Sequence, residues 1–400
     1  MGSLRQRVGS SGVLLMALGW AVGCGGVDGF DDFDEDEGTP QGPYGAELLA
    51  LYEESDLRDC RGSDRLGEDG LAEPFVQSID VPMARRIGRV AGAGAPVYLQ
   101  LPDDLEGISV IAEAGARSTV VVPVVDGEVV RVPSAEPDKA RTLNFPFDED
   151  SDLSGRCLSI YPALVGGQEG DVVTLHVVAR TAPVDGPELA INLIVVGDTQ
   201  ITDQELQAVA DSASDIFANN GAPEVLVDGI YRAEGASIVD DEGDALDGLR
   251  ARTFGDDPFT LNVIFLRGFL DEGVLGFAGG VPGPAGVSTA ASAVVLAVDS
   301  HLDGDGGLDH QQLASTLAHE LGHQLGLFHT SEAEGDLHDP IADTPECRED
   351  DDDDDDGELS VEECDGRDGD NLMFYTSADR AQTRLSPVQV EILNAHPLAY

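Results

Sequence analysis

Residues 319–329 read His-Glu-Leu-Gly-His-Gln-Leu-Gly-Leu-Phe-His. The first two histidines stand four apart, and on a helix that spacing stacks them on one face, where both imidazoles can reach one ion. Glu320 sits beside the first of them and can touch a water on the metal without ligating the metal itself. A third ligand must come from beyond the helix, because the next turn would point away from the ion. Gly326 lets the chain leave the helix with positive φ, and His329 can then swing back. Three neutral imidazoles leave a fourth position open, which marks a catalytic rather than a structural zinc site. His319, His323 and His329 are therefore the expected zinc ligands. Glu320 is the expected general base, taking a proton from water and passing it to a leaving amine.

These residues need a scaffold. Gln311 to Leu325 reads as the helix that carries the first two histidines. Upstream, Leu189 to Val196, Val225 to Tyr231, Leu261 to Leu266 and Ser292 to Val298 read as strands. Thr202 to Asn219 reads as a helix, with Thr202 and Glu205 as a capping box. Ser386 and Gln389 around Pro387 form a second capping box that starts a last helix. Strands alternating with helices imply a layered α/β unit over residues 188–400. The pattern over residues 75–183 differs. Val97 to Leu101, Ile108 to Ile111, Ser118 to Val125, Val129 to Val132 and Val172 to Val178 are short strands broken by turns such as Asp126-Gly127. We read an all-β, sandwich-like domain there.

The His-Glu-x-x-His-x-x-Gly-x-x-His segment resembles the metzincin zinc metallopeptidases. Downstream, Asn371-Leu372-Met373-Phe374-Tyr375 looks like their Met-turn, with Met373 beneath the zinc. Asp343-Thr344-Pro345-x-Cys347, Leu385-Ser386-Pro387-Val388-Gln389 and Leu275-Gly276-Phe277-Ala278 ahead of Pro282 resemble the pappalysin family within that group. Thr330 departs from the acidic residue of astacins or adamalysins. The resemblance covers residues 188–400. It implies a twisted mixed sheet with zinc helix and Met-turn, and hydrolysis of peptide bonds in proteins. It also implies an edge strand around Gly276–Gly280 that pairs with extended substrate, and a role for Tyr375 in holding the transition-state oxyanion. Members of the family bind structural calcium nearby, which makes Asp339 and Asp343 weaker candidates.

Seven aspartates run from 350 to 356. Asp352, Asp354 and Asp356 fall at positions one, three and five of an EF-hand loop. Gly357 takes the sharp-turn position, Glu358 position seven, Leu359 the apolar position eight, Ser360 position nine and Glu363 position twelve. A like-charge run also suits a plain solvated loop, so calcium and solvation both remain open. Asp303-Gly304-Asp305-Gly306 lacks the rest of such a loop and reads as a turn.

Arg5 and Arg7, then an apolar stretch from Val13 to Val22, read as an export signal too short to span a bilayer. Ala21-Val22-Gly23-Cys24 resembles a bacterial lipobox, so residues 1–24 are expected to be a signal peptide with Cys24 lipidated; ordinary signal cleavage is the alternative. Residues 25–45 form an acidic Gly/Pro linker and 46–74 a short helical or irregular segment. Cys60, Cys157, Cys347 and Cys364 remain, an even number that suits two disulfides in an exported chain. Three connectivities are possible; Cys347 with Cys364 and Cys60 with Cys157 keeps each bridge within one region. Cys60 in a latency switch on the zinc is the competing use. With 77 acidic against 22 basic residues and a net charge of −55, the surface repels phosphate backbones and disfavours nucleic-acid partners. The expectation is a lipid-anchored zinc endopeptidase of the cell envelope or outer membrane, or one released outside the cell, acting on protein or peptide substrates. A calcium-binding adhesion or structural lipoprotein with an inert zinc site is the alternative.

Overall fold

The computed structural model describes residues 64–65, 74–87, 91–115, 118–130, 140–240, 244–271, 273–354, 356–377 and 382–400. The expected signal segment with Cys24, the linker, the helix at 46–54 and Cys60 lie outside the described residues.

Ten strands come first: β1 (Asp64–Arg65), β2 (Phe75–Ile87), β3 (Ala91–Gly94), β4 (Val97–Gln100), β5 (Gly107–Glu113), β6 (Thr119–Val125), β7 (Glu128–Val129), β8 (Ala140–Phe145), β9 (Cys157–Val165) and β10 (Val172–Arg180). They make one curled sheet in the order β1-β4-β9-β3-β2-β10-β5-β8, with β6 on β9 and β7 on β6. The curl comes from β2, whose first part pairs with β10 and whose last part pairs with β3, across a register shift between Met83 and Arg85. Both parts of the sheet feed one core around Val81, Leu99, Val110, Leu143, Ile160 and Leu175. Of the strand expected at Val129 to Val132, β7 holds Val129, and Arg131 and Val132 lie outside the described residues.

The second half contains β11 (Glu188–Val196), α1 (Asp203–Asn220), β12 (Glu224–Ala233), β13 (Ile238–Val239), α2 (Asp244–Arg250), β14 (Leu261–Leu266), β15 (Gly268–Phe269), β16 (Gly276–Phe277), β17 (Ala293–Ala297), α3 (His310–Leu325) and α4 (Pro387–Ala395). Its sheet runs β12-β11-β14-β17-β16, all parallel except β16, which lies antiparallel on β17. Period-two alternation sorts the residues of β11. Ile191, Leu193 and Val195 face a core shared with Leu206, Val209 and Phe217 of α1 and Leu313, Leu317 and Leu321 of α3. Ile194 and Val196 face the opposite side, with Leu246 and Leu249 of α2. Both sheet faces are thus covered, which is why these strands read as near-continuous apolar runs. Thr202 and Glu205 cap α1 reciprocally, and Ser386 and Gln389 do the same for α4. Among the described residues no helix is long and apolar enough to cross a membrane.

The two halves meet where α3 and α4 end. A Cβ on Gly107 would stand 1.9 Å from the carbonyl oxygen of Ala395, so only glycine allows this approach. Arg180, 2% exposed, donates to the carbonyls of Ala182 at 2.8 Å and Asn394 at 2.6 Å. A cation at the last carbonyls of α4 is well placed against the helix dipole. Asn144 Nδ2 donates to the carbonyl of Leu325 at 3.3 Å, at the end of α3.

His396 lies in this junction, 3% exposed. Its Nδ1 accepts from the Leu398 N–H at 3.1 Å, so Nε2 carries the hydrogen. Burial, and then the charge of Arg180, pull it from 6.5 down to about 3. The unfolded chain takes up this proton near 6.5 and the folded chain only near 3. The contribution to stability is therefore whole above pH 6.5 and declines on acidification through that window. Urea unfolding at pH 7 and at about pH 4.5 should show a smaller acid loss in His396→Asn, which keeps an acceptor for Leu398. Equal losses in the two proteins would exclude His396 as the source.

Candidate metal centre

Helix α3 begins on Asp309, whose carboxylate accepts from Gln311 and Gln312 N–H, and ends at Gly326 with φ 113°, in the left-handed region expected for it. The Gly326 and Leu327 N–H groups close onto His323 and Gly322 carbonyls. The chain then turns back, and the rings of His319, His323 and His329 face one another, with centroids 4.6 to 5.4 Å apart.

Each ring is oriented through Nδ1. His319 Nδ1 donates to the Leu372 carbonyl at 2.6 Å and His323 Nδ1 to the Leu327 carbonyl at 2.7 Å. His329 Nδ1 donates to the carboxylate of Glu332 at 2.9 and 3.0 Å. Carbonyls and carboxylates only accept, so all three Nδ1 atoms carry the hydrogen and all three Nε2 atoms present lone pairs. Nε2 of His323 and Nε2 of His329 stand 3.0 Å apart, and Nε2 of His319 is buried with no hydrogen-bond partner. Lone pairs held this close repel unless a cation lies between them. Ligand atoms around tetrahedral zinc, with bonds of about 2.0 Å, are separated by about 3.3 Å, so the nitrogens fit the ion. Burial, and then the neighbouring imidazoles, pull His319 down to about 3 and His323 well below its ordinary value, which keeps both neutral as ligands must be. Glu320, next to His319, is fully buried.

The segment 371–375 lies under the histidines. Met373 is fully buried, and its N–H donates to Asn371 Oδ1 at 2.8 Å. A Cβ on Gly322 would stand 2.5 Å from Met373 Sδ, so the zinc-motif glycine and the methionine pack directly on each other. Thr330 N–H bonds the Met373 carbonyl at 3.0 Å. The structure does not bring Tyr375 to the histidines through a hydrogen bond: its hydroxyl donates to the carbonyl of Leu359. Burial, with Glu358 and Asp356 nearby, pushes its phenol up, so it remains a donor.

Residues outside the recognised motifs also hold this geometry. Glu332 grips His329. Ser331 donates to Asp368 Oδ2 at 2.6 Å and accepts from Cys347 N–H at 3.0 Å. Gln324 accepts from Gly279 N–H at 3.3 Å and donates to the Pro284 carbonyl at 3.1 Å, pinning the segment after β16 to α3. Glu332, three residues past the last histidine, is a carboxylate in reach that spacing alone could have flagged; Asp368 carries no local signal.

The acidic loop adopts the turn its register implies. Gly357 has φ 89° and its N–H donates to Asp352 Oδ2 at 2.9 Å. One carboxylate oxygen from each of Asp352, Asp354 and Asp356 falls within 4.8 Å of the others. Glu363 instead accepts from Ser360, through N–H and hydroxyl both at 2.7 Å, and from Asp353 N–H, bonds that lower it to about 2. The Glu358 carboxylate is not part of the three-carboxylate cluster, and the Ser360 hydroxyl is spent on Glu363. Asp339 accepts from Thr344, and Asp343 from Val388 N–H at 3.1 Å, so neither joins that cluster. Asp303 accepts from the Asp305 and Gly307 N–H groups, the turn expected there. Cys347 and Cys364 form a disulfide. Cys157 is also disulfide-bonded, and the partner expected for it, Cys60, lies outside the described residues.

The sequence model of the reprolysin-like metallo-peptidase family M12B matches residues 271–400. That stretch holds β16, β17, the zinc helix, all three histidines and Met373, and the match supports a metzincin-like peptidase. No curated protein matches the chain. Among solved structures, archaemetzincin from Methanopyrus kandleri is similar at 22% identity over 36% of this chain and 76% of its own, with a TM-score of 0.26. Metalloproteinase-II from Bacteroides fragilis is similar at 13% identity over 56% of this chain and 63% of its own, with a TM-score of 0.31.

Proposed function

We propose that residues 188–400 are the catalytic domain of a zinc-dependent endopeptidase, with His319, His323 and His329 as ligands and Glu320 as general base. One observation carries this reading: three Nε2 lone pairs converge while every Nδ1 is committed elsewhere. Bound zinc would polarise the scissile carbonyl and make a water molecule more acidic. Glu320, buried beside His319, takes the proton of the attacking water on a carboxylate oxygen and delivers it to the leaving nitrogen. Strand β16 is the edge of its sheet, where an extended peptide can add by main-chain hydrogen bonds and be aligned. Tyr375 can assist the oxyanion once its hydroxyl exchanges the Leu359 carbonyl for substrate.

The closer likeness we favour is to pappalysins, with residues 75–183 as a sandwich-like accessory domain. Export with lipidation at Cys24 fits the Cys347–Cys364 bridge, since disulfides persist outside the reducing cytosol. In the acidic loop, Asp352, Asp354 and Asp356 are our candidate calcium ligands, joined by Glu358, Ser360 and Glu363 after rearrangement. The Gly357 turn and the clustered carboxylates support this.

The test is cleavage of a peptide library followed by mass spectrometry of the products. We expect cuts within peptides, loss of activity on zinc chelation and recovery on adding zinc. Calcium should not restore cleavage but should raise the melting temperature. Stoichiometric zinc with no cleavage of any peptide would overturn the peptidase reading.

A further inference from the structure

We propose that Glu332 is a positioning residue of this metal centre, polarising the third histidine so that His329 is its strongest donor. The inference rests on the zinc reading above and deepens it. The three histidines differ in what receives their Nδ1–H. His319 and His323 use neutral backbone carbonyls. His329 alone of the three uses a carboxylate, with Nδ1 at 2.9 and 3.0 Å from its two oxygens. A hydrogen bond to an ionised acceptor is about twice as strong as one to a neutral group. It draws the Nδ1 proton away from the ring and enriches Nε2, which strengthens donation to a cation.

The fold builds this contact. Glu332 N–H bonds the Leu337 carbonyl at 3.0 Å and its own carbonyl receives Gly335 N–H at 3.0 Å, while Ser331 bridges to His338. This tight turn needs Gly335, with φ 69° and no room for a Cβ beside Glu349 N at 2.5 Å. The side chain of His329 is only 10% exposed and that of Glu332 30% exposed, so the pair is partly withdrawn from water.

Charge gives a second argument. Three neutral imidazoles leave a dication uncompensated in a largely buried site. Glu320, next to His319 in the helix, and Glu332, bonded to His329, supply two negative charges. Neither needs to bind the metal directly to balance it.

The experiment uses the full chain and zinc itself. Competition against a chromophoric chelator should show zinc affinity about 10- to 100-fold weaker in Glu332→Leu. Glu332→Gln, which keeps an acceptor but not the charge, should fall between Leu and wild type. The visible absorption of the cobalt-substituted protein should shift in both variants, a change that a purely structural role would not produce. Melting curves of the metal-free proteins check that all three fold alike. Unchanged zinc affinity and an unchanged cobalt spectrum in Glu332→Leu would overturn the proposal. A wild-type protein that binds no zinc would instead overturn the metal reading, and this proposal with it.

Discussion

Glu320→Gln should lower peptide cleavage by about 10²- to 10⁴-fold and leave zinc content unchanged. The substitution removes the group that shuttles the proton and keeps its shape. Glu320 is fully buried beside His319, so solvent cannot easily replace it. Metal analysis and steady-state kinetics on one preparation separate the two effects. Lost zinc would mean that the carboxylate supports the ligands. Full activity with full zinc would place the base elsewhere. The rise in barrier should appear in kcat more than in KM, because proton transfer occurs in the transition state rather than in binding.

The second large effect is on stability. The Cys347–Cys364 bridge closes a segment of sequence separation 17, for which chain entropy gives about 3 kcal/mol. Both cysteines are fully buried, in a small core with Leu359, Val361, Phe374 and Tyr375. Replacing both by serine removes the constraint and also leaves two hydroxyls in an apolar setting. Urea unfolding should therefore show a loss of roughly 3 kcal/mol or more. A loss below about 1 kcal/mol would mean that the loop is held by its hydrogen bonds instead. Cleavage should weaken as well, since this small core includes the residue pair that follows Met373.

Much of the scaffold was readable because it follows local rules. Four of the five strands of the second sheet, the zinc helix and both capping boxes depend on patterns within a few residues. So does Gly326, where only a left-handed residue lets the chain turn from His323 back to His329. What escaped depends on partners far along the chain. Tyr375 meets Leu359 through a disulfide-closed loop, a contact that no spacing encodes. Asp368 reaches Ser331 from 37 residues away. The curl of the first sheet turns on a register shift within β2, and a register shift leaves no trace in hydropathy. Helix α2 was missed because its sequence, Asp-Ala-Leu-Asp-Gly-Leu-Arg, is short and carries a glycine.

The carbonyl that sets the ring of His319 belongs to Leu372, 53 positions later. Tyr400 N–H and carbonyl close a pair of hydrogen bonds on Glu188, at the start of β11. Assembly of the site therefore waits for residues beyond the motif, Leu372 first among them. A nascent polypeptide that has not yet reached Leu372 would carry the eleven-residue motif yet hold only two of its rings in working orientation.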